Sequence, residues 1–327
     1  MTSARARCGR ALLAACVVLV PAAGVARERG ARADRGYRAD PVVVVADAVE
    51  RLARCPSLDD RRKEATSYLR AEVTPQGILS RARLVDAASG AALTDECLRS
   101  ALPDAAVPPA GPLVSVWWPL AAATPRFGAP RRVQVTGVDL LMVPRRYPAR
   151  MLPKDLTRAR WLGLCGRRLS RAVPREVRLA RRPTDDSEAF DDVTAGGCSS
   201  KRRRTPVFRG AGVRGGARPA HLDTKPRGGP VTIRFGDERS RVWQVRREGR
   251  PSVLALATGA TVQVLATDED PEWGFAVAWA GDLDCDGRVD VLVRDGEPRL
   301  GRYRLFLSRA QRTLPVLLAA EVELPGD

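Results

Sequence analysis

The chain has one histidine and very few lysines, and the single histidine argues against several classes of catalytic site. Of its 327 residues one is histidine, and four of the 55 basic residues are lysine. A single histidine gives little support to a Ser-His-Asp or Cys-His catalytic device. No cysteine pair has the C-x-x-C spacing of a structural zinc site. Motifs of serine-hydrolase elbows, zinc proteases and phosphate-binding loops are absent too. No catalytic residue is therefore predicted, and His221 is interpreted as a loop residue.

Aromatic residues are also scarce, which limits what the positive charge of the chain means. Aromatics make up 5% of the sequence, although the formal net charge is +17. Few aromatic side chains alternate with the arginines, so the stacking platforms that single-stranded nucleic acid needs are missing. The preference for arginine over lysine, with abundant Ala, Gly and Pro, is typical of GC-rich codon usage. Nucleic acid is not predicted as a partner; an envelope protein or an anionic polymer is.

No segment is long and apolar enough to predict a transmembrane helix, but the N-terminus has the pattern of an export signal. Arginines precede an apolar run at 11–20, and small residues follow at 22–26. Residues 1–26 are predicted to be a cleaved signal peptide, which implies a periplasmic or extracellular protein. Leu13-Ala-Ala-Cys16 also fits a lipobox, so a lipoprotein with its lipid anchor on Cys16 is the alternative.

The clearest positive signal is the nonapeptide D-L-D-C-D-G-R-V-D at 282–290. It has carboxylates at loop positions 1, 3, 5 and 9, and a glycine that permits a sharp turn at position 6. Ca²⁺ binds oxygen ligands that converge from such a turn. The predicted ligands are four carboxylates and one backbone carbonyl: Asp282, Asp284, Asp286, Asp290 and the carbonyl of Arg288. The flanking segments alternate like strands, which predicts a strand–loop–strand calcium site and not an EF-hand. An acidic turn without metal is the alternative.

This loop resembles the calcium loops of FG-GAP and VCBS-type repeats. The family pattern is close to G-D-L-D-G-D-G-x-x-D, and residues 281–290 read G-D-L-D-C-D-G-R-V-D. The resemblance covers a single repeat loop, and no second copy is present. It therefore implies one calcium loop within another β-fold rather than a propeller. Those loops usually have glycine where this chain has Cys285.

A second pattern lies between the predicted signal and residue 122. It predicts, in order, a helix at 42–53, a strand at 69–73, a turn at 74–77, a strand at 79–85, a helix at 95–102 and a strand at 113–120. This order, with the hairpin Y-L-R-A-E-V-T-P-Q-G-I-L-S-R-A-R-L-V at 68–85, resembles the TonB carboxy-terminal domain. The resemblance implies an α+β module and a disulfide between Cys55 and Cys97. A membrane anchor and a Pro-Glu/Pro-Lys linker are missing from the pattern, so a protein-interaction module is expected rather than an energy transducer.

The remaining sequence predicts β-structure throughout. Residues 123–229 read as an irregular, β-containing connecting region with strands near 132–142, 161–165 and 177–180. Cys165 and Cys198 lie in this region and are predicted to pair, which leaves Cys285 over as a thiol. From residue 230, short runs separated by Gly, Pro or charges predict an antiparallel β-domain.

Together these observations predict five segments and a fold class. The segments are a signal peptide at 1–26, a flexible lead-in at 27–40, a TonB C-terminal-like α+β module at 41–122, the connecting region at 123–229 and an antiparallel β-domain at 230–327. The predicted function is that of an exported, non-enzymatic envelope protein with a binding or structural role, stabilised by calcium. Two alternatives stay open: a TonB-related periplasmic interaction protein, and an exported hydrolase, for which Asp268, Glu269, Asp270 and Glu272 offer paired carboxylates.

Overall fold

The structure is a computed structural model, and its described part is mostly β. It describes residues 40–52, 55, 67–86, 89, 91–93, 97, 102, 112–120, 132–134, 137–166, 168–183, 190–198, 205–210, 212–214, 218–224, 229–268, 274–296, 301–308 and 314–324. Of these residues 60% lie in strands and 9% in helices. None of the helices within these ranges is long and apolar enough to cross a membrane.

The largest sheet has nine strands and includes both early and late parts of the chain. Its strands, numbered in chain order and given in spatial order, are β12 (His221–Thr224), β13 (Val231–Phe235), β14 (Glu238–Val245), β15 (Ser252–Thr258), β16 (Thr261–Asp268), β4 (Val114–Pro119), β1 (Ser67–Val73), β2 (Leu79–Asp86) and β3 (Ala92–Leu93). Neighbouring strands are antiparallel except β16 and β4, which run parallel with Val262 opposite Val116.

Two further sheets complete the described structure. The five-stranded sheet contains β17 (Phe275–Gly281), β18 (Asp290–Asp295), β19 (Arg302–Leu307), β20 (Leu317–Glu323) and β5 (Arg132–Gln134). The six-stranded sheet contains β6 (Val138–Val143), β11 (Thr205–Gly210), β8 (Trp161–Cys165), β9 (Val173–Pro183), β10 (Phe190–Gly196) and β7 (Arg145–Pro148). Short 3-10 turns lie at Ala149–Met151 and Leu169–Arg171.

The five-stranded sheet is the middle layer. One of its faces packs on the nine-stranded sheet, where Val291 and Phe306 meet Ile233 and Leu254 in one apolar cluster. Its other face packs on the six-stranded sheet, where Trp279, Leu292 and Leu305 belong to a second cluster with residues such as Leu140 and Phe208. Alternate residues of each strand therefore enter different cores, as the period of two requires.

The helix α1 (Pro41–Leu52) covers the outer face of the nine-stranded sheet. It begins after Asp40, whose Oδ1 accepts a hydrogen bond from the N–H of Val42 at 2.9 Å, and Pro41 occupies the first helical position, where its missing N–H costs nothing. Val42, Val45, Ala46, Ala48 and Leu52 are buried. The other carboxylate oxygen of Asp40 accepts from Trp243 Nε1 at 3.1 Å, which fixes the start of the helix to β14.

A buried glutamine joins the nine-stranded and five-stranded sheets. Gln263 on β16 is fully buried. Its Nε2 donates to the carbonyl of Val316 at 2.7 Å, and its Oε1 accepts from the N–H of Val316 at 3.2 Å. The amide therefore satisfies both backbone groups of the residue that precedes β20, as a neighbouring strand would.

The predicted fold class, an α+β TonB-like module followed by a separate antiparallel β-domain, is wrong. The described chain is mostly β, and α1 lies on a sheet that does not end where the predicted module ends. Because β4 pairs with β16, strands from 67–119 and from 221–268 form one sheet. The local sequence pattern specifies strands, but it carries no information on which distant strand covers an open edge.

The individual elements agree better with the sequence. The helix at 42–53, the hairpin at 69–85 and the strand at 113–120 are confirmed as α1, β1–β2 and β4. The strands predicted from residue 230 onward are confirmed as β13 to β20. Most of the predicted second helix, 95–102, and all of 1–39, with the predicted signal peptide and Cys16, lie outside the described residues. The region at 123–229 is more regular than predicted, because it forms the whole six-stranded sheet.

Two predicted disulfides are present. Cys55 pairs with Cys97 and Cys165 pairs with Cys198, with Cα–Cα distances of 5.9 and 5.2 Å. Cys285 is disulfide-bonded as well, so the prediction of a leftover thiol is wrong. Disulfides persist in oxidising compartments, and these bonds favour an exported protein.

Candidate metal centre

The acidic loop at 282–290 joins two paired strands of the middle sheet. Its two ends meet at the base, where Gly281 at the end of β17 stands opposite Asp290 at the start of β18. The strand–loop–strand arrangement predicted from the flanking sequence is confirmed. Asp290 thus belongs to a strand and is fully buried, whereas the loop tip at Gly287 and Arg288 is exposed.

Close packing at the base of the loop requires a glycine. A β-carbon on Gly281 would lie 2.5 Å from the carbonyl oxygen of Arg218 and 2.5 Å from Cζ2 of the Trp279 ring. That ring is fully buried, and its Nε1 donates to the carbonyl of Ala172 at 3.0 Å. The start of the loop is therefore held between a neighbouring backbone and a fixed indole.

Three of the predicted ligands converge. Carboxylate oxygens of Asp282, Asp284 and Asp290 all lie within 4.8 Å of one another. Backbone N–H groups orient two of these side chains: Leu283 donates to Asp290 Oδ2 at 2.5 Å, and Asp286 donates to Asp282 Oδ1 at 3.0 Å. The result is a cluster of oriented oxygen atoms with the dimensions of a cation site.

Asp286 and Arg288 lie differently from the other three. Asp286 is outside the convergent group, and its Oδ1 accepts hydrogen bonds from the Arg288 N–H at 2.9 Å and from Ser308 Oγ at 3.1 Å. Its Oδ2 is buried and has no hydrogen-bond partner. A buried carboxylate oxygen without a partner is costly, which a nearby cation would relieve. That Asp286 and the carbonyl of Arg288 act as ligands stays a prediction.

The electrostatics of the loop show the cost of bringing these carboxylates together. Burial, followed by repulsion from Asp286 and Asp282, raises the pKa of Asp284 to about 6. Burial and then the charge of Asp284 raise the pKa of Asp290 well above its ordinary value. Burial also raises the pKa of Asp282. The charged forms are disfavoured in each case, and a bound cation supplies the opposite charge that would favour them.

Chain segments that are distant in sequence surround the loop, and sequence reasoning did not find them. Ser308, after β19, donates its backbone N–H to Asp290 Oδ1 at 2.7 Å and its hydroxyl to the same atom at 3.0 Å. The N–H of Arg214 donates to the carbonyl of Leu283, and the N–H of Asp282 donates to the carbonyl of Arg218. No local motif marks these residues, because only the fold brings them to the loop.

A further carboxylate reaches the loop from the nine-stranded sheet. Glu238 begins β14, and burial raises its pKa, while the positive charge of Arg288 and a hydrogen bond from the Val289 backbone lower it. Ser240 Oγ also donates to Glu238 Oε1 at 3.4 Å. The β13–β14 turn therefore touches the end of the loop, and the acidic centre lies where two sheets meet.

Of the residues considered for catalysis, the structure describes His221 and Asp268, and neither belongs to the convergent carboxylate group. The interpretation of His221 as a loop residue is wrong, because it is the first residue of β12, where it is exposed and lies opposite Arg234. Asp268 ends β16 and is buried, whereas Glu269, Asp270 and Glu272 lie outside the described residues.

The chain matches no known protein family, no curated protein and no solved structure.

Proposed function

We propose that the loop at 282–290 binds one Ca²⁺ ion, and that the protein is an exported, non-enzymatic binding or structural protein which this ion stabilises. The observation that supports the proposal best is the convergence of carboxylate oxygens of Asp282, Asp284 and Asp290 within 4.8 Å, where Asp290 is buried and the other two are half-buried. Three carboxylates at such distances repel one another, and nothing in ordinary packing requires the fold to bring them together.

The chemistry of the ligands favours calcium over other cations. All the predicted ligands are oxygen atoms, whereas zinc and copper sites in proteins usually contain sulfur or imidazole ligands. Mg²⁺ requires a near-ideal octahedron and gives up its water reluctantly. A loop of carboxylates and a backbone carbonyl suits the larger and more variable shell of Ca²⁺.

The position of the loop favours a structural role for the ion. Asp290 belongs to β18, Ser308 follows β19, and Glu238 begins β14. An ion bound by Asp290 would therefore fix the middle sheet, and through the loop it would fix the contact with the nine-stranded sheet. An exported envelope protein that presents a surface to an envelope protein or an anionic polymer benefits from such a rigid base.

Calorimetry and thermal unfolding of the exported, disulfide-bonded protein test the proposal. We expect calcium to bind with a Kd of roughly 10⁻⁴ to 10⁻³ M, the range of extracellular modules, and to raise the Tm by linkage. Asp284→Asn should lose this binding by at least about tenfold, because it removes one converging charge. Asp237→Asn, an exposed acid in the adjacent β13–β14 turn, is the matched control and should bind as the unchanged protein does.

Two results would contradict the proposal. One is an absence of both heat and Tm increase at millimolar calcium. The other is an equal loss of affinity in Asp284→Asn and Asp237→Asn, which would show only a general effect of acidic charge.

A further inference from the structure

A buried serine from another part of the chain contacts two of the predicted calcium ligands. Ser308 lies directly after β19 and is 1% exposed. Its backbone N–H donates to Asp290 Oδ1 at 2.7 Å, and its hydroxyl lies 3.0 Å from the same oxygen and 3.1 Å from Asp286 Oδ1. One hydroxyl therefore joins two carboxylates of the loop.

The two carboxylate oxygens of Asp286 have different surroundings. Oδ1 accepts hydrogen bonds from the Arg288 N–H at 2.9 Å and from the Ser308 hydroxyl. Oδ2 is buried and has no hydrogen-bond partner among the described residues. A buried carboxylate oxygen needs a donor or a cation, and turning the group would cost the two donors on Oδ1. Oδ2 is therefore the oxygen that Asp286 offers to an ion.

Asp286 is close enough to the converging carboxylates to share their ion. Its own N–H donates to Asp282 Oδ1 at 3.0 Å and to Asp284 Oδ1 at 3.3 Å. Ca²⁺ takes roughly six to eight oxygen atoms at about 2.3–2.6 Å. One oxygen each from Asp282, Asp284 and Asp290 leaves part of this shell open. A carboxylate oxygen of Asp286 would fill one of the open positions.

We propose that Ser308 is a positioning residue of the calcium centre, and that its hydroxyl holds Asp286 so that Oδ2 coordinates the ion. The inference rests on the calcium binding proposed above, and it adds a residue and a mode of coordination that the spacing of the loop does not specify. Residues that orient metal ligands through hydrogen bonds determine both the geometry and the affinity of a metal site.

The hydroxyl matters more for Asp286 than for Asp290. A serine hydroxyl has one proton, so it donates to one of the two carboxylates at a time. Without the hydroxyl, Asp290 keeps the N–H of Ser308 on Oδ1 and the N–H of Leu283 on Oδ2. Asp286 Oδ1 keeps the N–H of Arg288 alone. Loss of the hydroxyl should therefore release Asp286 while Asp290 stays in place.

Calcium titration and terbium luminescence of the disulfide-bonded protein test the inference. Tb³⁺ is a hard cation that replaces Ca²⁺ at oxygen sites, and its lifetimes in H₂O and D₂O count the water molecules bound to it. The informative variants are Ser308→Ala, which removes the hydroxyl, and Ser308→Thr, which retains one. The matched control is Ser252→Ala, because Ser252 on β15 is also buried and its Oγ has no hydrogen-bond partner in the described structure. Thermal unfolding in chelator measures the effect of each change on stability alone.

We expect Ser308→Ala to weaken calcium binding by at least about tenfold and to add about one water molecule to bound Tb³⁺. Ser308→Thr should restore most of the affinity and the original water count. Ser252→Ala should change calcium affinity by less than about threefold, since its hydroxyl orients no ligand. Asp286→Ala should add a water molecule by itself, and Ser308→Ala should then have little further effect, because the hydroxyl acts through Asp286.

Unchanged affinity and water count in Ser308→Ala would overturn the inference. A loss of affinity that persists in full in the Asp286→Ala background would overturn it as well, because the hydroxyl would then act through Asp290. If Ser308→Ala does not fold, Asp286→Ala still decides the matter, since an unchanged water count shows that Asp286 is not a ligand. A protein without any of these changes that binds no calcium refutes the proposed function itself, which distinguishes the two failures.

Discussion

Cys285 adopts a backbone conformation that favours glycine. Its φ is 61°, in the left-handed region, and it is the non-glycine residue with positive φ in the described chain. A β-carbon in that conformation costs roughly 1–2 kcal/mol relative to glycine. The N–H of Asp286, the next residue, donates to Asp282 Oδ1 at 3.0 Å and to Asp284 Oδ1 at 3.3 Å, and these hydrogen bonds stabilise the turn. Cys285 is disulfide-bonded in this conformation.

Gln263 provides a residue-scale prediction because its contribution is specific. Gln263→Leu removes both hydrogen bonds to Val316 and leaves a buried N–H and a buried C=O unsatisfied. Each buried group without a partner costs about 1–3 kcal/mol, so the variant should lose about 2–6 kcal/mol of unfolding free energy in urea denaturation.

Gln244 is the matched control for this prediction. Its Nε2 is also buried but has no hydrogen-bond partner. Gln244→Leu should therefore change the unfolding free energy by less than about 1 kcal/mol, since it removes an unsatisfied group. Similar losses in both variants would show that the pairing with Val316 is not what stabilises the contact between the sheets.

At the scale of elements, the sequence predicts which segments form helices or strands, but not which distant strand each of them pairs with. The alternation in 231–265 predicts β13 to β16 closely, because one face of each strand is apolar. The partner of β4 could not be predicted, because the sequence of Ser115, Val116 and Trp117 does not specify which distant strand pairs with them. β7, β10 and β11 were missed because their residues lie between Arg-rich and Gly-rich loops that dominate the local composition.

The residues of the candidate metal centre were likewise only partly predictable from the sequence. Spacing alone identified Asp282, Asp284 and Asp290 as candidates, because all three lie within one nonapeptide. It did not identify Ser308 or Glu238, which reach the loop from β19 and β14. A local motif identifies the ligand atoms that one loop supplies. The residues that contact this loop from elsewhere in the chain are brought there by the tertiary structure.

The two described disulfides give a prediction for the elements that they join. Cys55–Cys97 spans 42 residues and Cys165–Cys198 spans 33. Loops of this length constrain the unfolded chain by about 4 kcal/mol each, and the logarithmic dependence makes the two nearly equal. Cys55→Ala/Cys97→Ala and Cys165→Ala/Cys198→Ala should therefore each lose about 2–4 kcal/mol in non-reducing denaturation. A loss below about 1 kcal/mol for either pair would show that its segment is constrained by other means.

At the scale of the whole molecule, stability and calcium should be coupled through pH. The folded-state pKa of Asp284 is raised to about 6 by burial and by its acidic neighbours. A carboxyl group with a raised pKa favours the folded state at low pH, and this contribution is lost as the pH rises through about 6. The calcium-free protein should thus lose stability between about pH 4 and pH 6, where Asp284 becomes ionised.

Calcium should reverse this loss, because it binds the ionised carboxylates. The Tm difference between protein in calcium and protein in chelator should be small near pH 5 and should grow towards pH 7.5. In Asp284→Asn the growth should be reduced, since one titrating ligand is gone. A Tm difference that is independent of pH would contradict the coupling.

The parallel pairing of β4 with β16 has a consequence for how the chain folds during its synthesis. A chain that is made from its N-terminus presents β1, β2 and β4 before β16 is synthesised. During that interval β4 has an open edge of backbone donors and acceptors, the kind of edge at which chains aggregate. Contacts between such distant parts of a chain also form slowly. We therefore expect a chain truncated before residue 261 to leave the β4 edge exposed and to aggregate more than the full chain.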